Sequence, residues 1–118
     1  ALVSGEIIKE LLKFLIRRQR PDVSFSLIFE SGYSFPSGHA VMSVIFYGMV
    51  GYFIYQLCQK KRQKIILSTT IIAIIFLIGL SRMYLGVHWA SDVVAGWLFG
   101  FMILAFFVIM FERKKIQP

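Results

Sequence analysis

Three long stretches of the chain, residues 40–58, 65–80 and 93–111, contain no charged side chain. Each approaches the roughly 20 apolar residues that a helix needs to cross a bilayer. A soluble protein would have to bury three such helices beneath a polar surface. Charged residues make up only 16% of the chain and hydrophobic residues 58%, which is too few polar groups for that surface. The sequence therefore predicts an all-α integral membrane protein.

A more polar helix is predicted ahead of these stretches, over residues 2–18. It carries one hydrophilic stripe at spacings of three and four, formed by Glu6, Lys9, Glu10 and Lys13. Such a stripe in a membrane protein faces other helices or a wet cavity. Pro21 is expected to end the helix, because the residue before proline is pushed out of the α region.

We expect a single domain over residues 1–118, a bundle of about four helices. The first residues resemble the interior of an element, so the expectation is a membrane-embedded core that lacks upstream transmembrane helices. The only cysteine, Cys58, cannot form an internal disulfide and is interpreted as a structural or incidental thiol.

The distribution of basic residues predicts the orientation of the helices. Residues 59–64 and 112–115 hold seven of the thirteen lysines and arginines, which is typical of cytoplasmic segments. The turn at residues 81–92 and the loop before residue 40 then face outward. Four arginines fall on this outward side, where basic residues are otherwise few: Arg17, Arg18, Arg20 and Arg82. For Arg17 and Arg18, contacts with lipid headgroups are an equal alternative to a functional role.

Residues on that outer side suit an anion. Lys13 and Arg20 are seven apart, so in a continuous helix they would share a face about 10 Å apart along the axis. Ser37 is suited to cap the next helix, and Gly38 permits close approach of a ligand to its free N–H groups. His39 lies in the first turn of that helix, beside any anion bound there.

The turn at residues 81–92 contains a second set of reactive groups. If His88 and Asp92 begin the last helix, the carboxylate can accept the imidazole Nδ1–H and leave Nε2 free as nucleophile or base. Arg82 can reach the same place from the preceding helix.

Two other kinds of site fit these residues less well. A metal site would have two histidines without cysteines or a second nearby acid, which is a poor ligand set. A serine hydrolase would need Ser37 or Ser81 as nucleophile, but neither lies in a strand-turn-helix elbow.

Three motifs follow one another along the chain: K-x6-RP at residues 13–21, PSGH at 36–39 and SR-x5-H-x3-D at 81–92. Together they closely resemble the three-part signature of the type 2 phosphatidic acid phosphatases. That superfamily also contains bacterial phosphatidylglycerophosphatases, undecaprenyl-diphosphate phosphatases, glucose-6-phosphatase and the vanadium haloperoxidases. No motif position is substituted. Membrane members of the superfamily usually have six transmembrane helices, whereas about four are expected here.

The resemblance implies a metal-independent lipid phosphate phosphatase that needs no cofactor. His88 would attack phosphorus and become a phosphohistidine, while Asp92 orients its ring. His39 would protonate the leaving oxygen and then help water to attack. The phosphate oxygens would be held by the remaining motif residues, Lys13, Arg20, Ser37, Gly38 and Arg82. The implied substrate is phosphatidylglycerol phosphate, phosphatidate or undecaprenyl diphosphate, bound at the extracytoplasmic face of the cell membrane.

Two alternative functions stay open. A vanadate-dependent oxidase would share the pocket, because vanadate imitates phosphate, but such relatives are typically soluble. A non-enzymatic transport or binding scaffold would use the buried charged residues as a relay, but such a function does not explain the PSGH motif. The expected partners are the lipid substrate and the bilayer, with no nucleic acid. Nothing in the sequence indicates an oligomeric state.

Aromatic residues near these motifs have two interpretations. Tyr84, Trp89 and Trp97 either line the substrate's approach or, as is more common, are interfacial or core aromatics. The loop residues expected to rest on the membrane surface near the entrance are Phe25, Phe29 and Tyr33.

Overall fold

The chain forms four α-helices and no strand in the computed structural model, which describes residues 1–22, 24 and 26–116. The helices are α1 (Leu2–Ile16), α2 (Gly38–Leu57), α3 (Lys61–Tyr84) and α4 (Ala90–Ile116). Within the described range, α2, α3 and α4 are long and apolar enough to cross a membrane. The prediction of an all-α membrane bundle is confirmed, and each charge-free stretch lies within or largely within one of these three helices.

The centre of the bundle is α2, which packs against each of the other three helices. Its core cluster consists of Val41 and Ile45 from α2 and Ile103 from α4. By contrast, α3 buries only Gly79 and turns most of its apolar side chains outward. An apolar exterior of this kind suits a lipid environment, where outward-facing leucines and isoleucines carry no penalty.

Two glycines four residues apart let α4 approach α2 closely. A Cβ atom at Gly96 would lie 2.8 Å from the Ser37 carbonyl oxygen, and one at Gly100 would lie 2.7 Å from the Val41 carbonyl oxygen. No real Cβ tolerates such distances, so a larger side chain would push the helices apart. This small-residue packing holds the first turns of α2 and α4 side by side.

The helix ends differ from the predicted ones at two places. The α1 helix ends at Ile16, because Arg17 adopts a left-handed conformation with φ 50° and ψ 35°. Pro21 therefore does not end the helix, which has already stopped. At the other place α4 begins at Ala90, so His88 lies just before the helix and not in its first turn.

Candidate active site

The candidate site lies where the α1–α2 and α3–α4 connections meet at one end of the bundle. Backbone hydrogen bonds join segments that are far apart in the sequence. The Ser34 N–H donates to the Arg18 carbonyl at 2.8 Å, and the Ser37 N–H donates to the Asp92 carbonyl at 3.0 Å. The three sequence motifs are thereby brought to the same end of the molecule.

A cavity of about 580 Å³ opens at this end. Its lining includes five of the residues expected to form the site, namely Lys13, Arg20, Gly38, His39 and His88. The other three do not belong to the lining. Ser37 and Asp92 are fully buried, and Arg82 pairs with a lining carboxylate, that of Glu30.

Arg20 reaches the cavity from the loop and not from a helix. Because α1 ends at Ile16, the expectation that Lys13 and Arg20 share one helical face is wrong. The chain instead folds back and fixes the guanidinium with loop carbonyls: Nη1 donates to the Val87 oxygen at 2.9 Å and Nε to the Gly32 oxygen at 3.1 Å. Both cations still line the cavity.

The carboxylate of Glu30 lies among the cations of the cavity. Its Oε2 is 3.0 Å from Arg20 Nη1, and its Oε1 is 3.6 Å from Arg82 Nη1. The same Oε2 is 3.7 Å from His88 Nε2. A cluster that holds one carboxylate between two arginines has the charge and geometry to hold a phosphate there.

The imidazole of His88 presents Nε2 to the cavity. Arg20 Nη1 is 3.4 Å from Nε2, and because a guanidinium can only donate, this geometry favours a lone pair on Nε2 and the proton on Nδ1. Burial, followed by the charge of Arg20, lowers the pKa of His88 to about 4. The ring is therefore neutral near pH 7, the state in which Nε2 can act as a nucleophile.

Asp92 does not make the hydrogen bond to His88 that the sequence suggested. The distance from Nδ1 to Asp92 Oδ2 is 3.8 Å, and Nδ1 is buried without a partner among the described residues. Oδ2 instead accepts the hydroxyl of Ser34 and, at 2.9 Å, the Trp89 N–H. An approach of about 1 Å would bring the imidazole within hydrogen-bonding distance.

The first residues of α2, Gly38 and His39, line the cavity. Ser37 is the N-cap, as predicted, yet its buried hydroxyl makes no capping bond and has no partner among the residues described. The Lys9 side chain lies against Gly38, with Cδ 2.9 Å from where a Cβ would be. His39 follows in the first turn and lines the cavity, beside the free N–H groups that make a helix start attractive to anions.

Three residues of the site were not recognised as such from the sequence. Lys9 lines the cavity one helical turn before Lys13. Its position on the same hydrophilic stripe of α1 as Lys13 could have identified it as a site residue. Glu30 contacts Arg82 and Ser34 contacts Asp92, each more than 50 positions away, and the contact of Glu30 with Arg20 is made within an irregular loop, so no helical or strand spacing pointed to them.

The aromatic predictions have mixed outcomes. Trp97 stacks on Phe76 with ring centroids 5.5 Å apart, away from the cavity, and its interpretation as a core aromatic fits this contact. Trp89 donates its Nε1–H to the Gln19 carbonyl at 3.1 Å, outside the cavity lining. Tyr84 is exposed and does not belong to that lining either. Phe29 lines the cavity mouth and Tyr33 is exposed, whereas Phe25 lies outside the described residues.

The acidic groups and histidines that the structure describes are not arranged as a metal site. Within the described residues, no three His, Cys, Asp or Glu side chains are grouped so that they could hold an ion. Glu30 and Asp92 are instead each paired with an arginine.

Comparison with known proteins identifies relatives along the whole length of the chain. Residues 1–116 match the family model of the PAP2 superfamily. Phosphatidylglycerophosphatase B of Bacillus subtilis is 36% identical over 117 residues, which cover 97% of this chain and 55% of that protein. Undecaprenyl-diphosphatase of Sulfolobus acidocaldarius is 32% identical over 126 residues, which cover 99% and 56%. The chain thus spans about half the length of these relatives.

A solved structure shares the same fold. It is that of a transmembrane PAP2-type phosphatidylglycerolphosphate phosphatase from Bacillus subtilis, with a TM-score of 0.82 and 34% identity over 99% of this chain and 57% of that one. The membrane-spanning helices and these membrane relatives make the protein a multi-pass membrane protein. The sequence match over residues 1–116 and the shared fold show that the chain belongs to the PAP2 superfamily.

Proposed function

We propose that residues 1–118 form the core of a lipid phosphate phosphatase that works without a metal ion through a phosphohistidine intermediate. One observation carries the proposal. A neutral, buried His88 directs Nε2 into a cavity whose cations already surround a carboxylate. Membership of the PAP2 superfamily, whose relatives include two named lipid phosphatases, supports the same reaction.

In the first step, His88 Nε2 attacks phosphorus and forms a P–N bond as the P–O bond to the lipid breaks. His39 donates a proton to the leaving oxygen, so the lipid departs as an alcohol or, from a diphosphate, as a monophosphate. The carboxylate of Asp92 balances the positive charge on the His88 imidazole once the His88 Nδ1–H has come within hydrogen-bonding distance of it.

In the second step, water replaces the imidazole. His39, now neutral, takes a proton from the attacking water, the P–N bond breaks, and inorganic phosphate leaves. Phosphoryl transfer requires mainly positioning and charge stabilisation at the three equatorial oxygens. In our proposal Lys13, Arg20 and Arg82 supply this charge, and Ser37 and Gly38 at the start of α2 supply hydrogen-bond donors.

The substrate is an amphipathic lipid with a terminal phosphate, such as phosphatidylglycerol phosphate, phosphatidate or undecaprenyl diphosphate. The apolar exterior of the helices keeps the tail in the bilayer while the phosphate enters the cavity. The basic segments at the opposite end favour the cytoplasm, so the cavity opens on the extracytoplasmic side. The names of the two relatives favour the first and the third of these lipids.

The first prediction concerns His88. In detergent micelles with EDTA, the wild type should release phosphate from at least one of the three lipids, and His88→Ala should be slower by at least about 10³-fold, because it lacks the nucleophile. Substrate labelled with ³²P at the terminal phosphate should give an acid-labile, base-stable phosphoprotein after rapid quenching. The label should be absent from His88→Ala.

His39→Asn is the matched variant for the second histidine. It should slow release while retaining some label, because the intermediate forms slowly and is hydrolysed slowly. Loss of wild-type activity in EDTA would overturn the metal-free mechanism. Full activity of His88→Ala would remove His88 as the nucleophile.

A further inference from the structure

Two adjacent arginines follow α1 and point to different partners. Arg17 is exposed, and its Nε donates to the Phe14 carbonyl at 3.1 Å on its own helix. Arg18 instead crosses to the start of α4, where Nη1 lies 2.8 Å from Asp92 Oδ1 and 2.6 Å from the Ser91 hydroxyl. The left-handed conformation at Arg17 turns the chain so that its neighbour can make this contact.

The carboxylate that Arg18 contacts is fully buried. A buried carboxylate is costly unless it is paired with a cation and its remaining lone pairs accept hydrogen bonds. The Arg18 guanidinium is 2.8 Å from it, whereas the imidazole of His88 is 3.8 Å away and neutral near pH 7. Arg18 is therefore the cation that pairs with the buried carboxylate of Asp92.

Arg18 also orients the other carboxylate oxygen through its backbone. The Arg18 carbonyl accepts the Ser34 N–H at 2.8 Å, and the Ser34 hydroxyl donates to Asp92 Oδ2. One residue thus fixes Oδ1 directly and Oδ2 through Ser34. Of the two oxygens, Oδ2 is the one that lies near His88 Nδ1.

Arg18 does not belong to the lining of the phosphate cavity. Its guanidinium carbon lies 5.6 Å from the centre of the Trp89 ring, and it contacts Asp92 at Oδ1, whereas the Asp92 oxygen near His88 is Oδ2. A residue in this position acts on the reaction only through the groups it holds.

We propose that Arg18 is a positioning residue for phosphoryl transfer that acts through Asp92. It pairs with the carboxylate and holds Oδ2 toward His88 Nδ1, so that the positive charge developing on the imidazole during attack on phosphorus is stabilised. This inference rests on the proposed function. It adds Arg18 to a site whose motif residues do not include it.

The test compares kcat and KM for phosphate release by the wild type, Arg18→Gln, Arg18→Lys and Arg17→Gln. Arg18→Gln should lower kcat by about 10- to 100-fold, the usual effect of removing a group that orients a reacting one, with KM changed by less than about twofold. Arg18→Lys keeps the charge and should recover part of kcat. Arg17→Gln removes the same charge one residue earlier and should leave both constants unchanged.

A double-mutant cycle separates positioning from general damage. In an Asp92→Asn background, Arg18→Gln should change kcat by less than about twofold, because the group through which it acts is gone. If Arg18→Gln cannot be purified in folded form, Arg18→Lys takes its place in the cycle, again with a lowered kcat and an unchanged KM expected.

Several outcomes would overturn the inference alone. If Arg18→Gln raises KM and leaves kcat unchanged, Arg18 is a substrate contact. If the loss of kcat caused by Arg18→Gln adds fully to the loss caused by Asp92→Asn, Arg18 does not act through Asp92. Equal constants for Arg18→Gln and Arg17→Gln would leave Arg18 no role. Absence of phosphate release by the wild type would overturn the proposed function, and this inference with it.

Discussion

At the scale of single residues, the most informative feature of the site is a negative charge among its cations. The side chain of Glu30 is 23% exposed and interacts with both Arg20 and Arg82. A phosphate that binds the same arginines must displace or share this carboxylate. In the proposed reaction, Glu30 therefore competes with the phosphate for these two arginines.

The second prediction follows from this competition. Glu30→Gln should bind inorganic phosphate about fivefold more tightly, because removing one competing charge from a partly exposed pair is worth about 1 kcal/mol. The measurement is the inhibition constant of inorganic phosphate against lipid phosphate hydrolysis. Glu112→Gln removes the same charge on α4, at the opposite end of the bundle, and should leave the constant unchanged.

The opposite result would also be informative. Weaker phosphate binding by Glu30→Gln, with Glu112→Gln unaffected, would mean that the carboxylate mainly holds the arginines in a binding geometry. Glu30 would then not compete with phosphate, although the cation cluster would still be the anion site.

At the scale of helices, the close packing of α2 and α4 determines the geometry of the site. His88 lies two residues before α4 and His39 lies in the first turn of α2. Because Gly96 and Gly100 bring the two helices together near these turns, a displacement of α4 moves one histidine relative to the other. Stability and catalysis should therefore respond together to changes at these glycines.

The third prediction tests this coupling. Gly100→Val should lower stability by about 2 kcal/mol, with a fall in Tm on the order of 10 °C, because its Cβ would lie 2.7 Å from the Val41 carbonyl oxygen. Thermal unfolding in micelles measures Tm, and phosphate release below Tm should also be slower. Val94→Leu adds bulk on an exposed face of the same helix and should change neither. An unchanged Tm for Gly100→Val would refute the tight contact.

The helices were predictable from the sequence, but the contacts between them were less so. A charge-free stretch of bilayer length identifies a spanning helix without tertiary information, which is why α2, α3 and α4 were found. The end of α1 could not be found in this way, because the left-handed Arg17 is followed by a contact of Arg18 with Asp92, 74 positions away. Local propensity carries no signal for such a turn.

The site shows the same division between local and distant information. The motifs identified Lys13, Arg20, His39 and His88, all of which line one cavity. The four-residue spacing of His88 and Asp92 suggested a direct hydrogen bond, but this pattern cannot reveal a competing donor. Ser34, 58 positions away, occupies Oδ2 instead, and only the fold shows it.

At the scale of the whole molecule, the two ends of the bundle differ in charge and in chemistry. The cavity lies at one end. The α2–α3 connection, the first turn of α3 and the end of α4 lie at the other end, and together they carry seven lysines and arginines. Cys58, which follows α2, lies at this basic end, far along the helix from His39. The only cysteine of the chain is therefore a natural reporter of which end faces the cytoplasm.

The fourth prediction uses this reporter to test the orientation. In intact cells a membrane-impermeant maleimide should leave Cys58 unlabelled and should react with it only after permeabilisation, because basic segments stay on the cytoplasmic side. Asp22→Cys in a Cys58→Ser background places the thiol on the exposed loop beside the cavity and should be labelled without permeabilisation. Ser24→Cys, also on that loop, serves as a second outward position.

Labelling of Cys58 in intact cells, with both loop cysteines protected, would place the cavity on the cytoplasmic face. The lipid phosphates reached from the outer leaflet would then be excluded as direct substrates, although the chemistry proposed for His88 would be untouched.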